Sequence, residues 1–221
     1  MEQRASSLAE VDKLNIIFFG EMDISSEEKK LRVVMAADLQ KLLLKYYDTV
    51  QNINTLLNNE LDGAAALYAA AAAELARGYI LFFTKYYPQY LALLGEGNVK
   101  GVVPWAYKHS RELAEWIPET DLKGNAPPIY DRILTTSRTE VNAIGNLALM
   151  HSAVSKGKTR KRWKTFGDNR VRQTHREAAG QTVAIDEPFI IGGSRMMFPC
   201  DTSLGASAAE IVNCRCTVQY L

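Results

Sequence analysis

The hydrophobic periodicity of this 221-residue chain changes at Gly157. Before that residue, apolar side chains recur at steps of three and four, most clearly from Leu31 to Leu61, which is the spacing of one face of a helix. After it, apolar and polar residues alternate in short stretches between glycines, which is typical of strands and turns. We therefore predict the α+β class, with a mainly helical N-terminal region followed by a small mixed α+β C-terminal domain.

Local signals place the predicted helices. Ser25 and Glu28 form the pattern of a capping box at the start of the first long helix. An alanine-rich helix is expected to end near Pro88, and Pro127-Pro128 to precede a last long helix over 129–154. The predicted division is a helical region at 1–126 and a C-terminal domain at 127–221.

Shorter elements are predicted beyond Gly157. Alternation favours strands at 162–166 and 182–185 and a terminal strand within 211–220. A short helix at 171–179 is expected to end at Gly180, where glycine suits a left-handed cap, and Gly192-Gly193 is expected to form a turn.

Charge is distributed unevenly along the chain. The whole chain has a formal net charge of +1, whereas the segment 156–176 holds nine basic residues and one acidic residue. This basic segment is typical of a surface that contacts nucleic acid or an acidic protein partner, and a solvated linker is the plainer interpretation. Trp163 and Phe166 lie within it as candidate stacking surfaces. The candidate DNA-binding residues are Lys158, Arg160, Lys161, Arg162, Lys164, Arg170, Arg172 and Arg176.

No targeting signal is expected. The first residues carry charges without an apolar run, which argues against a secretory signal. The most hydrophobic stretch, 61–94, contains Asp62, Glu74, Arg77 and Lys85, so it is interpreted as a soluble helix that is buried or self-associating. We expect a protein made in the cytoplasm, with no membrane partner.

A second group of residues points to metal chemistry. His175, Cys214 and Cys216, with Cys200 as a further candidate, would supply the thiolates and imidazole that zinc prefers. Alternation in a strand would place Cys214 and Cys216 on one face. The same pattern fits cysteines buried in a core, a redox or disulfide role, or a Cys/His nucleophile, although no pattern singles out a catalytic group.

A set of ordered motifs within roughly residues 130–221 resembles a known family. The motifs are Ser137-Arg-Thr-Glu-Val-Asn142, Lys161-Arg-Trp163, Asp168-Asn-Arg-Val-Arg-Gln-Thr-His175 and Asn213-Cys-Arg-Cys216, with Gly180, Phe189 and Pro199 between them. In this order they resemble the phage Mu F-like head morphogenesis domain. The residues that carry the resemblance are Arg138, Glu140, Trp163, Asp168, Arg170, Arg172, His175, Gly180, Pro199, Asn213, Cys214, Arg215 and Cys216. The chain departs from the family pattern at Cys200, where a glycine is common, so a shared metal site would depend on the other three ligands.

The resemblance implies a structural role rather than a reaction. Members are minor capsid proteins, present in a few copies inside the head near the portal vertex. They contact portal, major capsid or scaffold proteins, and some are associated with the packaged double-stranded DNA. We therefore expect a virion protein that is assembled in the host cytoplasm, is not an enzyme and carries at most a structural zinc ion.

Two other functions remain open from the residues. A zinc-dependent nuclease or a toxin-type enzyme delivered with the virion would use His175, Cys214 and Cys216 beside arginines that hold phosphate. A DNA-binding scaffold outside the virion would use the basic segment alone.

Overall fold

The computed structural model describes residues 18–19, 22, 24–56, 64–95, 102–122 and 129–221. Four long helices precede Gly157 in this part of the chain, and five short strands with two short helices follow it. The long helices are α1 (Ser26–Leu56), α2 (Ala64–Leu93), α3 (Val102–Leu122) and α4 (Ile129–Ser155). The later elements are β1 (Arg160–Lys164), α5 (Gln173–Glu177), β2 (Thr182–Ala184), β3 (Phe189–Ile191), β4 (Ser194–Met196), α6 (Ala208–Ile211) and β5 (Thr217–Tyr220). The predicted α+β class is confirmed.

Helix α1 begins as its sequence predicts. The Ser25 backbone N–H donates to the Glu28 carboxylate at 3.1 Å, and the Glu28 N–H donates to the Ser25 hydroxyl at 3.2 Å. This reciprocal capping box satisfies two backbone donors that the first turn would otherwise leave unpaired. Along the predicted stripe, Met35, Leu39 and Val50 are buried, whereas Val34 is 52% exposed and lies beside the stripe. The predicted break at 62–63 lies outside the described residues.

Helix α2 does not end at Pro88, so that prediction is wrong. The helix continues through the proline to Leu93. Proline removes one backbone hydrogen bond and costs about 3 kcal/mol inside a helix. Tyr86, Tyr87 and Tyr90 are all at most 2% exposed on either side of it. The free energy gained by burying three large aromatic side chains therefore outweighs the cost of a proline inside the helix.

Helix α4 follows its predicted bounds closely and forms the centre of the core. From Val141 to Ala148 all its side chains are buried, and they include the polar Asn142 and Asn146. A single hydrophobic cluster extends from Phe19 through α4 to Val218. The predicted division of the chain at 126–127 stays a prediction.

Two small antiparallel sheets complete the fold. The first has the order β2-β1-β5, and Trp163 of β1 lies opposite Val218 of β5. The second is the β3-β4 hairpin, whose turn residues Gly192 and Gly193 have φ values of 55° and 82°. Positive φ at both central positions is the type I′ geometry that matches strand twist, and this confirms the predicted turn.

Several predicted bounds in this region are wrong by a few residues. Strand β1 occupies 160–164 rather than 162–166, because its pairing with β2 and β5 fixes the register. Helix α5 spans only five residues rather than 171–179, and Asp168 accepts from the Arg170 N–H in a local turn before the helix. The terminal strand begins at Thr217, so Cys214 and Cys216 lie in an extended segment between α6 and β5 rather than in a strand.

One segment in the described part of the chain, Ala66–Leu93, has the length and composition of a membrane-crossing helix, with 28% of its most apolar window buried. Core helices of soluble proteins meet the same criterion, and Tyr79 and Phe83 of this helix are buried against the rest of the chain. The expectation of no membrane partner stays a prediction.

Two helical glycines provide a matched test of the core. A Cβ at Gly145 would lie 2.7 Å from the Arg32 guanidinium carbon and 2.9 Å from the Tyr90 hydroxyl, both held in a buried network, whereas a Cβ at Gly78 would meet only the end of the Leu42 side chain. We expect Gly145→Ala to lower the free energy of unfolding by about 1–3 kcal/mol through overpacking. Gly78→Ala should be neutral or slightly stabilising because alanine favours the helix. Urea unfolding monitored by circular dichroism measures the free energy of unfolding of both variants. Equal changes in the two would contradict the expectation that the Arg32 network cannot move aside for an added methyl group.

Candidate metal centre

His175, Cys214 and Cys216 meet in the interior of the C-terminal region. Their ligand atoms all lie within 4.8 Å of one another, and all three residues are buried. The His175 Nδ1 atom is 3.4 Å from the Cys216 sulfur and 3.6 Å from the Cys214 sulfur. Two sulfurs and one imidazole nitrogen therefore face a common point, which is the donor set of a zinc site.

Different elements bring these three side chains together. Helix α5 buries His175 on its inner face, while Arg176 and Glu177 point to solvent. The cysteines follow Asn213, whose φ of 53° turns the chain after α6. Asparagine tolerates this left-handed conformation better than most residues. The Asn213 N–H then donates to the Thr139 hydroxyl of α4 at 2.9 Å, which fixes the start of the cysteine segment.

Glu210 orients the histidine ring. Its carboxylate is 3.0 Å from His175 Nε2 and also accepts from the Thr174 hydroxyl at 2.8 Å. With Nε2 occupied by this partner, Nδ1 is directed at the two sulfurs. A carboxylate on the outer nitrogen is the usual support of a metal-binding histidine, since it fixes the tautomer and the ring orientation.

Asn142 holds the cysteine segment from the side of α4. Its amide Nδ2 donates to the Cys214 carbonyl at 2.7 Å and to the Cys216 carbonyl at 3.5 Å. Its Oδ1 accepts from the guanidinium of Arg32, a fully buried residue of α1, at 2.5 Å. The backbone of the candidate ligands is thus connected through one side chain to the first long helix.

The electrostatics of the cluster favour a thiolate at Cys214. Hydrogen bonds from Cys200, Cys216 and His175 hold the pKa of the Cys214 thiol well below its usual range. Burial by itself would lower the pKa of His175, but the hydrogen bond to Cys214 and the charge of Glu210 raise it. The same thiolate and burial raise the pKa of Cys216. These shifts favour the negative form of the Cys214 sulfur and the protonated form of the His175 ring.

Cys200 lies next to the cluster but is not one of its three members. Its Sγ contacts the Ile211 carbonyl at 3.4 Å and accepts from Asn142 Nδ2 at 3.6 Å. Its backbone φ of 67° is in the left-handed region, which is uncommon for a residue with a Cβ. Among the described residues, only the three-residue group brings its ligand atoms within 4.8 Å.

The structure separates the candidate DNA-binding residues into two groups. Strand β1 alternates, so Arg160, Arg162 and Lys164 lie on its exposed face, and Lys158, Arg170 and Arg176 are also exposed. Lys161 is fully buried and donates to the Met197 carbonyl at 2.8 Å, so its selection as a DNA contact is wrong in this fold. Arg172 is half-buried, and its guanidinium donates to the Val212 carbonyl.

The candidate stacking residues are also located differently from the prediction. Trp163 is 1% exposed and packs edge-on against His175 and Phe189, so it does not offer a face to a base. Its indole N–H lowers the pKa of the Cys216 thiol against the larger opposing effects of Cys214 and burial, but it makes no hydrogen bond with the described residues. Phe166 is half-buried beneath the Arg215 guanidinium, 4.6 Å from the ring centre.

The remaining motif residues support the local fold. Arg215 donates to both carboxylate oxygens of Asp168 at 2.7 and 2.9 Å. Arg138 lies 4.5 Å over the Phe18 ring. Gly180 has a φ of 82° after α5, as its predicted role requires, and Pro199 is buried before Cys200.

Glu140 forms a separate buried ion pair. Its carboxylate accepts from the Tyr79 hydroxyl at 2.5 Å and is 2.7 Å from His109 Nε2. Burial alone would lower the pKa of His109, but the Glu140 carboxylate and the nearby Glu112 raise it to about 10. Glu140 therefore connects α2, α3 and α4 through a hydrogen bond from Tyr79 and an ion pair with His109.

Sequence reasoning missed two residues of the metal centre. Glu210 is 35 residues from His175 in sequence, and no spacing rule relates the two. Asn142 belongs to a quoted motif, but a polar residue within a helical stripe carries no signal of which backbone it will bind. Neither could be assigned without the tertiary arrangement.

Comparison with known protein families identifies one that matches the C-terminal part of the chain. Residues 113–219 match the family described as "Phage Mu protein F like protein". The C-terminal part of the chain is therefore similar to the phage Mu F-like family, which is linked to phage head morphogenesis. The resemblance predicted from the ordered motifs is confirmed.

Two curated relatives match part of the chain. The chain is 33% identical over 135 residues to the uncharacterized protein YqbB of Bacillus subtilis (strain 168), covering 58% of this chain and 44% of that protein. It is 32% identical over 114 residues to the NAD(+)–arginine ADP-ribosyltransferase EFV of Enterococcus faecalis (strain ATCC 700802 / V583), covering 50% of this chain and 22% of that protein. The chain thus spans less than half the length of either relative. No solved structure matches.

Proposed function

We propose that this chain is a minor capsid protein of a tailed bacteriophage or prophage, acting in head assembly at or near the portal vertex inside the head. The similarity of residues 113–219 to the phage Mu F-like family carries the proposal. In this role the protein is structural and catalyses no reaction. The transferase activity named for the Enterococcus faecalis relative belongs to a protein of which the alignment covers 22%.

The helical region supplies the surface for other head components. Leu81 of α2 is 70% exposed and borders a groove between α1 and α2 with a volume of about 340 Å³. Leu56 and Val34 of α1 are also exposed. Exposed apolar side chains beside a groove are typical of protein contacts, and we assign this surface to portal, major capsid or scaffold protein.

Particle composition tests the main proposal. Heads purified by density gradient from a strain carrying the gene should contain peptides of the full chain, at far lower abundance than the major capsid protein, and cross-linking should join it to the portal protein. Mass spectrometry of gradient fractions measures both. Absence of the chain from heads that contain portal and capsid proteins would contradict a virion location.

We assign the contact with packaged double-stranded DNA to the exposed face of β1. Arg160, Arg162 and Lys164 alternate outward on this strand, at intervals of about 6.6 Å. Regularly spaced cations neutralise phosphates and release counterions, which favours binding without sequence preference.

Replacing the three exposed cations of β1 tests this contact. The variant with Arg160, Arg162 and Lys164 changed to Gln should bind duplex DNA more weakly, and the slope of log affinity against log salt should fall by about 2–3 because three phosphate contacts are lost. The control changes Lys30, Lys41 and Lys45 of α1 to Gln, an equal loss of charge on another exposed surface. Fluorescence anisotropy across a salt series gives the slopes. Equal slopes in the two variants would mean that total charge rather than the β1 face determines binding.

We propose that His175, Cys214 and Cys216 hold a structural zinc ion. Two thiolates and an imidazole match the preference of zinc for sulfur and nitrogen, and Glu210 supplies the outer support of the ring. The bound ion would join α5 to the segment before β5, two parts of the fold that no strand pairing connects. Its contribution would be to stabilise this junction.

Metal analysis tests the zinc proposal. The full chain purified without chelators should contain about one zinc ion, and His175→Ala should remove it. Glu210→Gln should weaken zinc binding by about 10–100-fold because the ring loses its orienting carboxylate, whereas the exposed Glu177→Gln of α5 should leave it unchanged. Competition with a chromophoric chelator measures the affinities. Zinc content that His175→Ala leaves unchanged would rule out this site.

A further inference from the structure

Three protein ligands leave a tetrahedral ion one coordination position short. Structural zinc sites normally close this position with a fourth side chain, whereas sites with a functional metal leave it to water or another exchangeable ligand. The structure contains two candidates for the fourth position, Cys200 and a small cavity, and they differ in their relation to the three ligands.

Cys200 approaches one member of the three-ligand group, because its thiol hydrogen-bonds the Cys214 sulfur, but it does not converge with the other two members. Its sulfur is engaged by the Ile211 carbonyl and by the Asn142 amide. The Asn142 amide also binds the Cys214 carbonyl, and the Cys200 sulfur is itself 3.8 Å from that carbonyl oxygen. Cys200 therefore lies on the side of the cysteine segment that carries its carbonyl groups. Its sulfur does not join the ligand atoms that lie within 4.8 Å of one another in the described residues.

The cavity, in contrast, touches all three ligands. It has a volume of about 20 Å³, and its lining includes His175, Cys214 and Cys216 but not Cys200. A space of roughly 10–15 Å³ is enough for one water molecule. An ion held by the three side chains would therefore have space for one small ligand on this side.

The charges around the cavity favour an anion. Arg170, Arg172 and Arg215 all line it. Asp168 offsets part of this charge because it pairs with Arg170 at 3.1 Å and with Arg215 at 2.7 Å. Arg172 donates to a backbone carbonyl and keeps its full charge. Two thiolates would balance the charge of a divalent ion. The positive charge of the arginines around the cavity then favours hydroxide or another small anion over neutral water as the fourth ligand.

We infer that the metal centre is an open site, in which the fourth position faces the arginine-lined cavity and accepts an exchangeable small anion, and Cys200 is not a ligand. The inference rests on the proposed zinc site. The anion-binding position is confined to ligands of a few atoms, because the cavity holds about one water molecule.

Cobalt substitution of the full chain tests the inference, with azide as the probe anion. Cobalt(II) in this site absorbs in the visible range, and azide should shift the d–d bands in a saturable manner. Cys200→Gly removes the thiol at a position whose φ of 67° glycine adopts without strain, so the variant should fold. We expect it to keep the thiolate-to-cobalt absorption, to bind cobalt within about twofold of the unchanged protein, and to respond to azide equally.

Each outcome has a distinct meaning. Loss of about one third of the thiolate-to-cobalt absorption in Cys200→Gly, or a cobalt affinity at least tenfold lower, would show that Cys200 is the fourth ligand and would overturn the inference. Cobalt spectra unaffected by azide at any concentration would overturn the exchangeable position. Failure of the unchanged protein to bind zinc or cobalt would instead refute the proposed metal site, which the zinc content and the His175→Ala variant report independently.

Discussion

The structure depends on a hydrogen bond between a buried cation and an amide. Arg32 is fully buried in α1 and donates to Asn142 of α4, and Asn142 in turn holds the Cys214 carbonyl. A guanidinium without such a partner in the interior would cost several kcal/mol. Arg32 also donates to the Tyr90 hydroxyl of α2 at 2.7 Å, which in turn donates to Glu28. The hydrogen bonds of one buried cation therefore connect three long helices with the segment that carries two candidate metal ligands.

The family match extends into the helical region. The match begins at residue 113, within α3, and includes all of α4. Helix α4 supplies Thr139 and Asn142, the two side chains that bind the backbone around the cysteines. Without α4, the Asn213 N–H and the Cys214 carbonyl would lose these two partners. Helix α4 therefore forms one wall of the candidate metal centre, although its sequence pattern is that of a bundle helix.

Local rules predicted what local interactions determine. The capping box of Ser25 and Glu28, the bounds of α4 and the Gly192-Gly193 turn depend on neighbouring residues, and each is confirmed. The end of α2 depends on how its tyrosines pack against other helices, so the prediction that the helix ends near Pro88 was wrong. Composition identified the basic segment, but only strand register decides that Arg160 and Arg162 face outward while Lys161 and Trp163 are buried. The grouping of His175 with the cysteines was predictable from ligand chemistry, whereas Glu210 and Asn142 required the tertiary fold.

The cysteine segment is held from two sides by different chemistry. On one side Asn142 binds the carbonyls of Cys214 and Cys216; on the other, their sulfurs converge on His175. The hydrogen bond between Cys214 and His175 lowers the pKa of the thiol and raises the pKa of the ring, so each group favours the charged form of the other. A divalent ion would be held by a neutral imidazole and two thiolates, so its binding is coupled to the release of the protons that these groups carry. The carbonyl side of the segment is held by Asn142 and Arg32 through contacts that need no ion, so a metal would add its bonds on the sulfur side alone.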